Sequence, residues 1–426
     1  MHVWLLLISC ISFVISQTPF RPIRTAGIAA IIIATATLYI CRLFSIPPLN
    51  GALIVQFVGD VRPFRSPEYI AAALVIFLSL AIGVYKAPMV PRFAKPVHFA
   101  TAFIAIAILI NINAAISATS DHDRHDTPPG GTAVESASKA VSLGPQAGRP
   151  HHVVVIIVES LGLPTASAEQ AIFVADWDRP SWRARYAVSH GKTRFLGSTT
   201  HGELRELCGR WGEYASFDFA RADCLPQRFR AAGYRTSALH SFGGYFFSRT
   251  QWYPRMGFAD MRFADTLIRE GARPCQGVFP GACDRDVPRL IGRELAEARA
   301  PQFVYWLTLN SHLPIVADAT LGTETCTMGS PAWRDEYPVL CRYFQTQHEL
   351  ADAITAMALA PDFPPTDILI VGDHKPPFFD RTRAARFDST HVPWIYLQAR
   401  DRPAHRQIPL DGLRTASNGV RRPHSL

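Results

Sequence analysis

The sequence predicts a layered α/β domain carried on an apolar helical anchor. Three observations lead there. Residues 1–118 are dominated by apolar runs, whereas the remainder has the composition of an ordinary globular chain. From residue 152 onward, short β-branched runs alternate with longer helical stretches, the pattern of a sheet with helices packed on its faces. Several of the short runs end in ionisable residues, at the sheet edge where open α/β folds gather their ligands.

The chain has 426 residues, enough for two or three units of about 100–200 residues each. Four stretches, 3–15, 26–44, 69–85 and 97–118, are candidates to span a bilayer, a task that takes about 20 apolar residues. The first is short, but it lacks the basic leader and the small-residue cleavage site of a signal peptide. Arg21 and Arg24 lie between the first two stretches, and Lys86, Arg92 and Lys95 between the last two. Both loops are therefore expected on the cytoplasmic side of the inner cell membrane. The segment 47–67 and everything after residue 118 are then external, although Arg62 and Arg65 count against that for the former.

Charge and cysteine usage narrow the class. The formal net charge is +8, with no Lys/Arg-rich run of the kind a nucleic-acid surface requires. Such an excess suits anionic lipid surfaces and phosphorylated substrates. Cys10 and Cys41 fall in the apolar part, and six cysteines fall in the soluble part: Cys208, Cys224, Cys275, Cys283, Cys326 and Cys341. An even number in an external domain is the disulfide pattern. Their order points to three short loops, 208–224, 275–283 and 326–341, and no C-x-x-C pair argues for a zinc-cysteine site.

Residues 119–149 collect Ser, Asp, Gly, Pro and Thr without periodicity and read as a linker. The catalytic domain is expected over 150–400, followed by a tail at 401–426. Its first strand, 152–158, is a run of β-branched residues that ends in Glu159-Ser160-Leu161-Gly162. Further strands are expected at 236–240, 303–309, 367–371 and 392–398, with helices at 225–232, 284–298 and 343–359 between them. The strand at 303–309 runs into Asn310-Ser311-His312-Leu313-Pro314, and that at 367–371 into Gly372-Asp373-His374. His391 stands just before the last strand. Glu159, Asp373 and His374, with a threonine oxygen, form a mixed O/O/N/O set suited to zinc or manganese. The small-residue loop Gly197-Ser198-Thr199-Thr200 supplies that oxygen and leads into a helix start. A threonine there could equally cap the helix or let its N-terminus face an anion.

This constellation resembles the alkaline phosphatase/sulfatase superfamily. Within it, the residues look most like the membrane-anchored head-group transferases: lipoteichoic acid synthases, phosphoglycerol transferases and lipid A phosphoethanolamine transferases. The resemblance implies an α/β/α sandwich behind the transmembrane helices. It gives Glu159, Asp373 and His374 as metal ligands, with Thr199 as both ligand and nucleophile; Thr200 stays open as the alternative nucleophile. It assigns His312 to proton transfer beside the substrate. In Phe246-Phe247-Ser248-Arg249 it puts Phe247 and Arg249 on the head group, and it makes His391 an additional substrate-side histidine. That branch commonly has five spans, where four are counted here. Cys224-Leu225-Pro226-Gln227-Arg228 fits the minimal sulfatase formylglycine pattern, but it lies well past the nucleophile position, and a disulfide is the expected use of Cys224. His151-His152 reads as an exposed pair at the end of the linker.

The resemblance further implies the reaction. A metal-activated threonine would take the head group from phosphatidylethanolamine or phosphatidylglycerol and pass it to an exported glycan or a lipid-linked sugar. The alternatives are a metal-dependent phosphatase, phosphodiesterase or sulfatase-type hydrolase, or a non-catalytic membrane scaffold of the same fold.

Overall fold

The computed structural model describes residues 2–43, 51–120, 128–145 and 151–400. The expected tail at 401–426 lies outside the described residues. The apolar part folds as helices His2–Ser16, Arg21–Leu43, Gly51–Asp60, Pro67–Lys86 and Pro96–Ser120. Among the described residues, two stretches are long and apolar enough to cross a bilayer, Arg21–Cys41 and Pro67–Met89; the apolar helices Leu7–Ser16 and Pro96–Ile112 are shorter. Only 6% of the apolar window is buried in each of the two long helices, so neither is the core helix of a globular fold. Their side chains, Leu74, Phe77, Leu78 and Ile82 among them, stand largely uncovered by protein. Lipid is the cover such a surface calls for.

Among the described residues, the soluble part is built on nine strands: β1 His152–Val158, β2 Tyr186–Arg194, β3 Arg235–His240, β4 Asp260–Arg262, β5 Pro274–Cys275, β6 Gly281–Ala282, β7 Gln302–Leu307, β8 Thr366–Gly372 and β9 His391–Ala399. Seven of them form one sheet in the order β2-β9-β8-β1-β7-β3-β4, and β5-β6 is a separate small hairpin. The five strands from β8 to β4 in that order pair in parallel, while β9 runs antiparallel to β8 and β2 antiparallel to β9. Parallel strands need both faces covered, and β1 shows how the sequence provides this. Val153, Val155 and Ile157 enter one core beneath the helices Thr199–Cys208, Leu225–Ala231 and Arg249–Met256. Val154, Ile156 and Val158 enter a second core beneath Ser167–Trp177, Val287–Glu297 and Pro338–Leu359. The result is an α/β/α sandwich.

Several expectations change. Part of the presumed linker is folded: in the short helix Ala137–Ala140, the N–H groups of Ala137 and Ser138 donate to the buried Glu206 carboxylate at 3.3 and 3.0 Å. An acid buried at the far end of another helix thus draws residues 128–145 onto the domain. His151-His152 is not an exposed pair either, since His152 opens β1 and its Nδ1 accepts the Gln302 N–H at 3.1 Å. The three disulfides form as the cysteine order indicates, Cys208–Cys224, Cys275–Cys283 and Cys326–Cys341. Cys224 is therefore unavailable for formylglycine chemistry. Arg62 and Arg65, which counted against an external loop, are engaged by the soluble domain: Arg62 with Gln276, and Arg65 with Gln276 and Asp318.

Candidate active site

All the metal-ligand candidates leave the sheet at one edge, because β1 and β8 are parallel neighbours. Ser160, just after β1, takes a left-handed backbone with φ +57°. That turn lets its N–H donate to Asp373 Oδ1 at 2.8 Å and its hydroxyl to Glu159 Oε1 at 2.9 Å. Glu159 is pinned at both ends, its N–H donating to the Thr308 hydroxyl at 2.9 Å and its carbonyl accepting the Ser311 hydroxyl at 2.6 Å. The two strand ends approach closely enough that a Cβ on Gly372 would lie 2.1 Å from the Leu161 carbonyl oxygen. Glycine is required there.

β2 delivers the Gly197–Thr200 loop to the same edge, since its last residue, Arg194, pairs with His391 at the start of β9. Ser198, not a threonine, is the N-cap residue of the helix Thr199–Cys208, and its N–H donates to His201 Nδ1 at 3.1 Å. Thr199 is thereby released from capping. Its hydroxyl donates to Glu159 Oε2 at 3.1 Å and lies 3.2 Å from His374 Nε2. Thr200 is buried and meets the Ser198 hydroxyl at 3.3 Å instead. The helix then presses on the ligand loop: a Cβ on Gly202 would come within 2.9 Å of Asp373 Cβ. Arg205, one turn on, donates to the carbonyls of Gly372 and Asp373 at 2.6 and 3.0 Å.

Glu159, Asp373 and His374 each present a ligand atom within 4.8 Å of the others. Two features of the chain fit a divalent cation there. Asp373 Oδ2 is buried and has no hydrogen-bond partner among the described residues, with His374 Nε2 3.3 Å away, so it is an oxygen that a bound cation would satisfy. His374 Nδ1 faces the Lys375 carbonyl at 2.9 Å, which places the proton on Nδ1 and leaves the Nε2 lone pair for the cluster. Burial, then the charge of Glu159, pushes Asp373 up to about 6. Burial works to lower His374, but the Asp373 and Glu159 carboxylates outweigh it and hold its pKa above the usual value. Negative charge is crowded at this point, and a cation would relieve it.

His312 follows β7 at this edge. Its Nδ1 meets the Leu313 carbonyl at 2.8 Å and its ring packs against Phe279, with centroids 4.1 Å apart. Burial first, and the neighbouring His374 second, lower its pKa to about 4. His391 begins β9; its N–H donates to Asp388 at 3.0 Å and its Nδ1 lies 2.8 Å from the Thr390 hydroxyl. Because Val371 pairs with Trp394, His391 and His374 emerge at the same edge.

Arg249 departs from the expected role on the head group. Its guanidinium is buried and pairs with Glu203 at 2.9 Å, with a further bond to the Phe246 carbonyl at 3.2 Å. Glu203 also accepts from the hydroxyls of Tyr305, at 2.9 Å, and Tyr253. A buried carboxylate on the helix Thr199–Cys208 claims the arginine, because neither charge could be left unpaired in the core. Phe247 lies beneath the same guanidinium, 5.4 Å from it, and packs edge-on against Tyr214. The sequence reading missed Ser160, Ser311, Arg205 and Tyr343, whose hydroxyl donates to the Ser160 carbonyl at 2.8 Å. Ser160 had one signal, its place directly after Glu159; the others become visible only once the strands are paired.

The Sulfatase family model matches residues 205–409. A protein of Rhizobium meliloti (strain 1021) named for cyclic beta-1,2-glucan modification is 27% identical over 241 residues, covering 54% of this chain but 36% of its own. The chain thus spans little more than a third of that relative's length. The lipoteichoic acid synthase LtaP of Listeria monocytogenes is similar at TM-score 0.45 and 13% identity, over 59% of this chain and 66% of its own. The integral membrane lipooligosaccharide phosphoethanolamine transferase A of Neisseria meningitidis is similar at TM-score 0.44 and 13% identity, over 93% of this chain and 88% of its own.

Proposed function

We propose that this chain, which is similar to the Sulfatase family model over residues 205–409, transfers a phospholipid head group through a phosphothreonine formed on Thr199. The observation that carries the reading is the hydroxyl of Thr199, held 3.1 Å from Glu159 and 3.2 Å from His374 at a cluster built for a divalent cation. Glu159, Thr199, Asp373 and His374 would hold zinc or manganese. When bound, the cation supplies a lowered pKa for the threonine hydroxyl and offsets charge on the phosphoryl oxygens.

The remaining work falls to the chain itself. Thr199 Oγ forms a bond to phosphorus in line with the departing oxygen, and the phosphorus–oxygen bond to diacylglycerol breaks. His312 has a lowered pKa and its Nδ1 faces the Leu313 carbonyl, so it starts as a base through Nε2. It takes the threonine proton and returns it to the diacylglycerol oxygen. In the second half it takes the proton of the acceptor hydroxyl, which then displaces Thr199. The N-terminus of the helix Thr199–Cys208 adds backbone dipoles beside the developing charge.

A lipid donor, phosphatidylethanolamine or phosphatidylglycerol, suits the uncovered apolar helices that carry the domain, read here as four spans with the site on the external face of the cell membrane. The name of the Rhizobium meliloti relative favours a glycan acceptor. The test is to supply labelled donor lipids and a glycan acceptor to wild type and Thr199→Ala. Wild type is expected to release diacylglycerol and label the glycan, and the variant to do neither. Free head group in place of labelled glycan would make the protein a hydrolase.

A further inference from the structure

The external loop between the helices Gly51–Asp60 and Pro67–Lys86 grips the soluble domain at one point. The Arg62 N–H donates to the Val278 carbonyl at 2.8 Å, and its guanidinium reaches the Gln276 side chain. The Arg65 guanidinium binds the Gln276 carbonyl and pairs with Asp318 at 2.9 Å. Asp318 is itself fixed, accepting the N–H groups of Thr320 and Leu321 at 2.8 and 3.2 Å, and the Thr320 hydroxyl accepts the Gln276 N–H at 2.7 Å. All these contacts converge on the turn closed by the Cys275–Cys283 disulfide. That turn carries Phe279, the ring packed against His312. Phe279 shares a buried apolar cluster with Cys41, Ile54 and Val61 from the membrane part.

We propose that this loop is a positioning element of the active centre: Arg62 and Arg65 hold the disulfide-closed turn so that Phe279 fixes the ring of His312. The inference rests on the reading of His312 as the proton-transfer group. The hydrogen bond to the Leu313 carbonyl fixes one nitrogen but leaves the ring free to swing about that contact. The Phe279 ring, tilted 53° to the imidazole with centroids 4.1 Å apart, removes this freedom. Proton transfer needs heavy atoms within about 2.6–3.2 Å, and a displacement of about 1 Å can cost on the order of a hundredfold in rate. The membrane part would then be more than an anchor, since the orientation of a catalytic side chain depends on its engagement.

The test uses the full chain in nanodiscs of phosphatidylethanolamine and phosphatidylglycerol. Arg65→Ala and Phe279→Ala are expected to lower kcat by about tenfold or more, with KM for the lipid donor unchanged. Arg65→Asp combined with Asp318→Arg is expected to recover most of the loss, whereas either swap alone does not. Amide exchange on the same samples is expected to speed up at 276–282 and 309–313 in Arg65→Ala, with β1 and β8 unaltered. Wild-type turnover in both single variants, or a loss expressed in KM, overturns the proposal. Should Arg65→Ala fail to fold, Phe279→Leu decides by the same split between kcat and KM. Should the wild type release no diacylglycerol, the functional reading falls, and the exchange measurement alone decides whether the clamp exists; unchanged exchange in Arg65→Ala overturns it.

Discussion

Thr199 and Thr200 are adjacent, yet their surroundings are opposite. One hydroxyl faces Glu159 and His374, and the other is buried against Ser198. The expected outcome is that Thr199→Ala abolishes head-group transfer while retaining bound metal by elemental analysis, and that Thr200→Ala keeps most of the transfer. Arg249 offers a second contrast. As one half of a buried pair with Glu203, its loss leaves a charge stranded in the core, so Arg249→Ala should lower unfolding stability by about 3–5 kcal/mol. A phosphate-binding arginine would instead raise KM and leave the melt unchanged. His312 gives a pH signature. Its pKa falls from the ordinary 6.5 in the unfolded chain to about 4 in the fold. Between those values the unfolded state binds the extra proton, so stability rises with pH across that window and is lost on acidification. His312→Phe removes that contribution, and its Tm should fall less than that of wild type between pH 6.5 and 4.

At the scale of elements, the buried parallel strands were legible because burial on both faces leaves a continuous β-branched run. The first strand matches its expected bounds at His152–Val158, and β8 extends the expected run by one residue at each end. β2 was not legible. Tyr186–Arg194 is an antiparallel edge strand with most of its residues away from the core, and its Ser, His, Gly and Lys carry no apolar periodicity. Missing β2 also hid how the Thr199 loop reaches the ligand edge. The candidate ligands Glu159 and Asp373-His374 could be read because they stand where β1 and β8 end, whereas the fate of Arg249 could not, since it depends on Glu203 on the helix Thr199–Cys208. The contact between the helix Thr199–Cys208 and the loop after β8 yields its own prediction. Gly202→Val would drive a side chain into Asp373, so the variant should bind zinc or manganese more weakly by titration while Cys208–Cys224 still forms.

At the scale of the whole molecule, the apolar helices and the α/β/α sandwich meet at a specific seam. Arg62 and Arg65, awkward for an external loop by charge statistics alone, are accounted for by Gln276 and Asp318 across that seam. On the proposed function, a catalytic edge beside a bilayer would suit a substrate whose reactive phosphate lies at the membrane surface and whose tails stay in it. The measurement that bears most directly on the central claim is intact-protein mass spectrometry after brief incubation with phosphatidylethanolamine or phosphatidylglycerol in the absence of acceptor. A head-group phosphoester is expected on wild type, mapped to Thr199 and absent from Thr199→Ala, with its mass identifying the donor. Diacylglycerol release with no covalent adduct, or an adduct that persists in Thr199→Ala, would contradict the account.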